Sequence, residues 1–420
     1  MSATESAMAA DTARNPEAAA ETIANLASPE GPLRLYEHYH RLRAADPIHQ
    51  SQHESFPDCW FISRHEDVYK ILRDRRFIQD ARNAEVFAGT EGAFADMCSR
   101  MLIFLPPGPH ERTRGIIYRA FTPQAVARWE PRIEAVIHEL IESAIAKGEC
   151  ELLHEVLYSL PMTVICELLG ATPDERAEFD RLFGGQGHEM SDVGRASDDQ
   201  RSAADRMVEE FTELVAAMIK NQRDPNTVLA TLIEATEDGD RLSTDEVIAA
   251  VYILIGAGHE TTANLLGNGL SYLLGPDRGQ WNRLVADPSL VPSAVEELMR
   301  YDTSVQFNQR VANEDVVYES AEGPVRIDEN QRIIVLLGAA NRDPAVFDNP
   351  DVLDVGRDPN PHLAFGAGMY YCLGANLARL EMNIALDALV SRVPNMELVS
   401  DPEFRRTWMM RGVNDLPVRF

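Results

Sequence analysis

The chain has 420 residues, 45% hydrophobic and 25% charged, a composition that argues against a disordered, fibrous or membrane-spanning protein. A compact chain of this length buries roughly 76% of its unfolded surface, enough for a core that encloses a cofactor. Thirty-nine Lys and Arg against 67 Asp and Glu leave a net charge of −28, a field that repels phosphate backbones and anionic lipid, so nucleic acid and membrane surfaces are not expected partners.

Residues 1–30 are Ala-rich and carry Glu5, Asp11, Glu17 and Glu21 without the basic start and apolar run of a signal peptide. A flexible tail is expected over 1–30 and one large domain over 31–420, which no Ser/Gly linker or repeat divides. Helical periodicity begins at Pro32 to Ala45, with Leu33, Tyr36 and Leu42 near one face. A short strand is expected at Trp60 to Ile62, then a helix opened by a capping box of Ser63 and Glu66. Long periodic segments predict helices over about 107–120, 124–147, 152–169, 198–220, 226–236, 244–274 and 289–301. After Tyr301, short runs holding Val311, Val316, Val317, Val325, Ile327 and Ile333 to Val335, separated by Glu, Gly and Asn, predict a small sheet. Pro344, Pro350, Pro359 and Pro361 exclude a helix from Pro344 to Phe365 and predict an ordered meander. The fold class is mainly α with a small β-rich region.

Cys59, Cys98, Cys150, Cys166 and Cys372 are odd in number and contain no C-x-x-C pair, which disfavours a disulfide framework or zinc ribbon and fits a reducing, cytoplasmic setting. Four of them read as buried small hydrophobes. Cys372 differs, because Phe365-Gly366-Ala367-Gly368-Met369-Tyr370-Tyr371-Cys372 is a Gly-rich turn running into the helix that follows Gly374. A thiol at a helix N-terminus is biased toward thiolate, the form that ligates metal or attacks an electrophile. Glu297 and Arg300 share a helix face at i and i+3, and His110 and Arg114 do so at i and i+4. Gly256-Ala257-Gly258-His259-Glu260-Thr261 interrupts an apolar helix with two glycines costing about 1 kcal/mol each, as if something approached that backbone closely.

The F-G-x-G-x-x-x-C-x-G pattern from Phe365 to Gly374 resembles the haem-binding loop of the cytochrome P450 family, and the resemblance extends over roughly residues 30–420. Glu297-Leu298-Met299-Arg300 matches the family's E-x-x-R, with Arg357 where the family places a third partner. Ala257, Gly258, Glu260 and Thr261 match the stretch where the helix loosens beside the haem, with Glu260 and Thr261 as the acid and alcohol that deliver protons to oxygen. His110, Arg114 and Arg310 match propionate-binding positions, two of them read as cationic donors in one segment. Tyr370 departs from the pattern, which has His there. A phenol can still donate a hydrogen bond to a carboxylate, or Tyr370 packs against the haem edge while the other three hold the propionates.

The resemblance implies a cytochrome P450 fold, a single haem-enclosing domain with haem b on the Cys372 thiolate. It implies a monooxygenase that inserts one atom of O2 into a hydrophobic small molecule of terpenoid, steroid, fatty-acid or polyketide type. Electrons would come from an external ferredoxin and its NAD(P)H-dependent reductase, docked through Arg112, Arg119, Arg128 and Arg379. Phe94, Met97, Met101, Phe307, Trp408, Met409 and Met410 are expected around the substrate, with Asn264, Gln306 and Asn308 as orienting groups; part of the pocket is expected between Leu182 and Asp199. The rival readings are oxidative coupling or desaturation on the same scaffold, separable by product analysis, and a non-catalytic haem sensor, separable by product-coupled NADH consumption. A hydrolase using Cys372 and His259 would be marked by absence of haem on purification.

Overall fold

The computed structural model describes residues 14–183, 198–222, 224–234, 236–237 and 240–420. Helix α1 (Pro16–Leu26) is opened by the Asn15 side chain accepting from Ala18 N–H and buries Ala19, Ile23 and Leu26 against α2 (Leu35–Ala45). The flexible tail expected over 1–30 is therefore corrected for 16–26: the Ala-rich spacing leaves one apolar stripe, and α2 supplies the surface that covers it. Residues 1–13 lie outside the described residues.

The small sheet is built from both ends of the chain. Strands β1 (Ile48–Gln50), β2 (Trp60–Ile62), β3 (Phe77–Ile78), β4 (Phe307–Ala312) and β5 (Arg332–Leu336) form one sheet in the order β1-β2-β5-β4-β3. All pairs are antiparallel except β2 with β5. A hairpin of Val316–Ser320 and Gly323–Ile327 follows β4. Between β2 and β3 lies α3 (His65–Arg73). Its expected Ser63 cap does not form: Ser63 Oγ donates to Pro47 O, and the helix instead receives Asp343, whose carboxylate accepts His65 N–H at 2.9 Å.

The helices form the larger part of the core. They are α4 (Pro107–Tyr118), α5 (Glu130–Ile145), α6 (Ser159–Leu169), α7 (Asp198–Asn221), α8 (Thr244–Leu273), α9 (Val291–Tyr301) and α10 (Ala375–Arg392). One π-helical stretch, Leu153–Tyr158, precedes α6 and was not legible as such. Helix α8 opens on a capping box of Ser243 and Glu246 and is apolar on nearly every face, so its neighbours cover it all round. It packs on α6, α9 and α10. From Pro344 to Phe365 the chain makes turns alone, as the prolines dictate. Among the described residues no helix is long and apolar enough to cross a membrane.

Candidate active site

The Cys loop is shaped by two glycines in the left-handed region. Gly366 has φ 68° and Gly368 φ 72°, and a Cβ on Gly368 would run into the Leu72 carbonyl of α3, so only glycine lets the loop seat there. Cys372 N–H donates to Phe365 O at 3.0 Å, closing the loop on itself. The thiol sits just before α10 and receives a backbone hydrogen bond from Gly374, with Arg114 and Arg379 adding positive charge. Burial nonetheless pushes Cys372 up from the ordinary thiol range. Desolvation is the larger effect, opposed by these groups.

A cavity of about 720 Å³ opens beside this loop, walled by Leu72–Arg75, Phe77, Ile78, the His110–Tyr118 side of α4 and Gly368–Leu373. His110, Arg114, Tyr370 and Cys372 all border it. The ring of Tyr370 lies 4.5 Å from that of His110, and the Arg310 guanidinium stands 4.8 Å over its face. Arg310 is buried with Nε unpartnered, and His110 Nδ1 is buried and unpartnered too. Burial pushes Arg310 down to about 10. Burial, then the charges of Arg114 and Arg310, push His110 down to about 4, so it stands neutral at pH 7 and the pair of cationic donors expected on α4 reduces to Arg114. Buried donors without acceptors form a site for anions, and this set fits the two carboxylates of a haem.

Helix α8 contributes the second group. Ala257 is exposed and Thr261 half-buried, in a part of the helix where Gly256 and Gly258 are half-buried as well. Nothing lies within 4 Å of a Cβ placed on Gly258, while Gly256 faces the Phe183 ring at 3.6 Å. Open space therefore lies beside Gly258 and the exposed Ala257. The stretch lies within the helix, and Thr261 Oγ1 donates to Ala257 O at 2.6 Å, a back-bond that competes with the backbone ladder. Glu260 is buried and pairs with Arg405 Nη1 at 3.0 Å. Arg405 Nη2 donates at 2.8 Å to the Tyr158 hydroxyl, which donates to Asn264 Oδ1 at 3.0 Å. Arg405 and Tyr158 escaped the sequence reading because no spacing connects residues 247 apart with a helix between them.

The E-x-x-R residues meet away from the cavity. Glu297 and Arg300 are fully buried and joined by two hydrogen bonds of 2.7 and 2.8 Å. Arg357 Nε reaches Glu297 at 3.0 Å, and Asn360 Nδ2 and Asp354 N–H donate to it as well. Arg300 Nη1 holds the carbonyls of Asn341 and Pro350, tying α9 to the proline-rich meander.

The family model described as Cytochrome P450 matches residues 186–277 and 283–402. Cytochrome P450 107B1 of Saccharopolyspora erythraea is 38% identical over 398 residues, 91% of this chain and 94% of that one. The chain belongs to the cytochrome P450 family. It superimposes with a TM-score of 0.84 and 30% identity on P450BioI in complex with hexadec-9Z-enoic acid-ligated acyl carrier protein, over 93% of this chain and 100% of that one. The myxobacterial cytochrome P450 CYP267B1 in complex with myristic acid gives 0.83 and 32%, over 94% and 98%. As a cytochrome P450 the protein is a haem-thiolate monooxygenase of hydrophobic substrates, carrying haem b on a cysteine thiolate.

The P450 structure moves several expected contacts. Asn264 is fully buried with its Oδ1 on Tyr158 and its Nδ2 without a partner, and Gln306 is fully buried, donating to Thr303 O at 2.6 Å with its Oε1 without a partner. Trp408 stacks on Phe61 and donates to the Tyr39 hydroxyl at 2.9 Å, which makes it core of the N-terminal region. Asn308 remains half-buried. Of the expected docking arginines, Arg112 pairs with Glu246 at 2.7 Å and Arg379 with Glu296 at 2.6 Å, whereas Arg119 and Arg128 are exposed. The expected pocket segment from Leu182 to Asp199 lies largely outside the described residues.

Proposed function

We propose that this P450 inserts one atom of O2 into a long-chain apolar substrate of fatty-acid or polyketide type, with electrons from an external ferredoxin and its NAD(P)H-dependent reductase, in a single haem domain in the cytoplasm. The observation that carries the reading is the cavity beside the Cys372 loop, bordered by His110, Arg114 and Tyr370, with the buried Arg310 guanidinium over the Tyr370 ring behind it. Cys372 is the iron ligand in this reading. Phe365, Gly366 and Gly374 shape its loop, and His110, Arg114 and Arg310 receive the propionates. Bound haem b supplies O2 activation, assisted by electron density from the thiolate.

The chain's own groups do the rest. Ala257 and Gly258 leave room beside α8 for oxygen, and Thr261 Oγ1, with its proton on the Ala257 carbonyl, offers lone pairs to that space. Glu260, paired with Arg405 on the buried side of α8, is the carboxylate of the proton relay. Glu297, Arg300 and Arg357 hold the meander that leads into the Cys loop. The substrate class is supported by the fatty acyl chain on P450BioI and the myristic acid on CYP267B1. All five cysteines are free, as suits a reducing compartment.

The test of the ligand is Cys372→His in the holoprotein: the thiolate-type Soret band of the reduced CO complex should vanish, and an unchanged band would refute the assignment. Titration with C14 and C16 fatty acids should shift the Soret band of the wild type; its insensitivity to both would remove the substrate class while leaving the ligand in place.

A further inference from the structure

Tyr370 stands where the family pattern has histidine, and its surroundings assign it a different task. A phenol has one proton and two lone pairs. The Tyr370 oxygen accepts Gln79 N–H at 3.1 Å, and its proton has two carbonyls in reach, Leu105 O at 3.3 Å and Gln79 O at 3.4 Å. The hydroxyl is thereby committed to backbone. The ring, in contrast, faces one cation and an imidazole: the Arg310 guanidinium stands 4.8 Å over it and the His110 ring lies 4.5 Å away. A guanidinium over an aromatic face is attracted by the ring quadrupole, most strongly where water is excluded, and Arg310 is 1% exposed.

The two halves of the side chain act on neighbouring strands. Gln79 follows β3, which pairs with β4 so that Ile78 lies opposite Val311, the residue after Arg310. The hydroxyl fixes the end of the edge strand while the ring fixes the guanidinium carried by the next one. Arg310 Nη1 donates to Gln309 O, and its Nε is left without a partner. No carboxylate pairs with Arg310 among the described residues.

Resting on the reading that His110, Arg114 and Arg310 receive the haem carboxylates, we propose that Tyr370 is a positioning residue and not a propionate donor. Its ring carries the Arg310 guanidinium into place, and its hydroxyl belongs to the wall of the cavity. Substituting His by Tyr here moves the carboxylate contact onto Arg310 and replaces a side-chain donor by a π surface.

The experiment measures haem loss from the holoprotein to an apoprotein acceptor, for Tyr370→Phe, Tyr370→Leu and Arg310→Met, each with iron protoporphyrin IX and with its dimethyl ester. Tyr370→Phe should lose haem within about twofold of wild type, because the ring is kept, whereas Tyr370→Leu should lose it about tenfold faster, the scale of one desolvated cation–π contact. With the dimethyl ester, which has no carboxylate for Arg310 to hold, wild type and Tyr370→Leu should lose it at equal rates. If Tyr370→Phe releases haem as fast as Tyr370→Leu, the phenol is a donor and the proposal falls. A Leu penalty that persists with the dimethyl ester shows packing alone and also overturns it. If Arg310→Met releases the natural haem at the wild-type rate, the carboxylate reading itself fails, whatever Tyr370 does.

Discussion

Replacing Glu297 by Ala removes the carboxylate shared by the buried Arg300 and the half-buried Arg357. Its carboxylate takes two hydrogen bonds from Arg300, a fork from Arg357 at 3.0 and 3.2 Å, and single bonds from Asn360 and Asp354 N–H, and neither Glu297 nor Arg300 is exposed at all. Breaking a buried pair by deleting one partner costs about 3–5 kcal/mol, because the surviving charge is left desolvated. Against a total stability of about 5–15 kcal/mol, that is a large share. It falls on the segment leading to Cys372, so stable haem incorporation should fail as well. The loss is to be read by urea unfolding of wild type and Glu297→Ala, followed by far-UV circular dichroism, with Asp315→Ala as control. Asp315 pairs with Arg326 on the surface, where the two side chains are 60% and 69% exposed, and such pairs are worth about 0–1 kcal/mol. A Glu297→Ala loss no larger than the control's, or a normal yield of holoprotein, would refute the argument from burial.

Glu381 on α10 is pushed up to about 8 by burial, so between the ordinary glutamate value of about 4.3 and pH 8 the folded state holds a proton that the unfolded state releases. Stability from this group is full below that range and falls by about 1.4 kcal/mol per pH unit through it; Glu381→Gln should flatten the decline, and parallel pH–stability curves for the two proteins would disprove it. Arg405→Gln leaves the Glu260 carboxylate buried without its cation and should cost about 3 kcal/mol and lower the product formed per NADH. Wild-type stability together with wild-type coupling would show that the pair does neither.

What the sequence made legible is what local chemistry decides. Gly366 and Gly368 before Cys372 announced a turn only glycine can make, and α8 and α9 were legible because each carries a continuous apolar pattern. Glu297 and Arg300 could be placed on one face by spacing alone. The misreadings share a different cause: they concern partners far away in the chain. Ser63 had the right spacing for a cap, but Asp343, 280 residues on, supplies it, since a carboxylate at a helix N-terminus outcompetes a serine hydroxyl that Pro47 already accepts. His110 read as a cation, but burial first, and then the charges of Arg114 and Arg310, push it down. Arg112 and Arg379 looked like free surface charge, and each proved to face a glutamate on another helix or its cap. Trp408 was assigned to the substrate on bulk, although its indole N–H is used by Tyr39.

The division of labour between the two basic residue types has a practical side. Every cation that shapes the site is an arginine, and several are held over rings: Arg310 over Tyr370, Arg379 over Phe365, Arg411 over Phe404, and Arg342 between Tyr36 and Tyr301. The lysine side chains, Lys70, Lys147 and Lys220, are exposed, and none borders the cavity beside Cys372. Amine-directed chemistry therefore reaches these lysines at fixed points on the surface while the guanidiniums stay unmodified. A fluorophore or solid support joined through Lys147, just before the strand Glu149–Glu151, would hold the enzyme in a defined orientation with its haem-binding groups untouched.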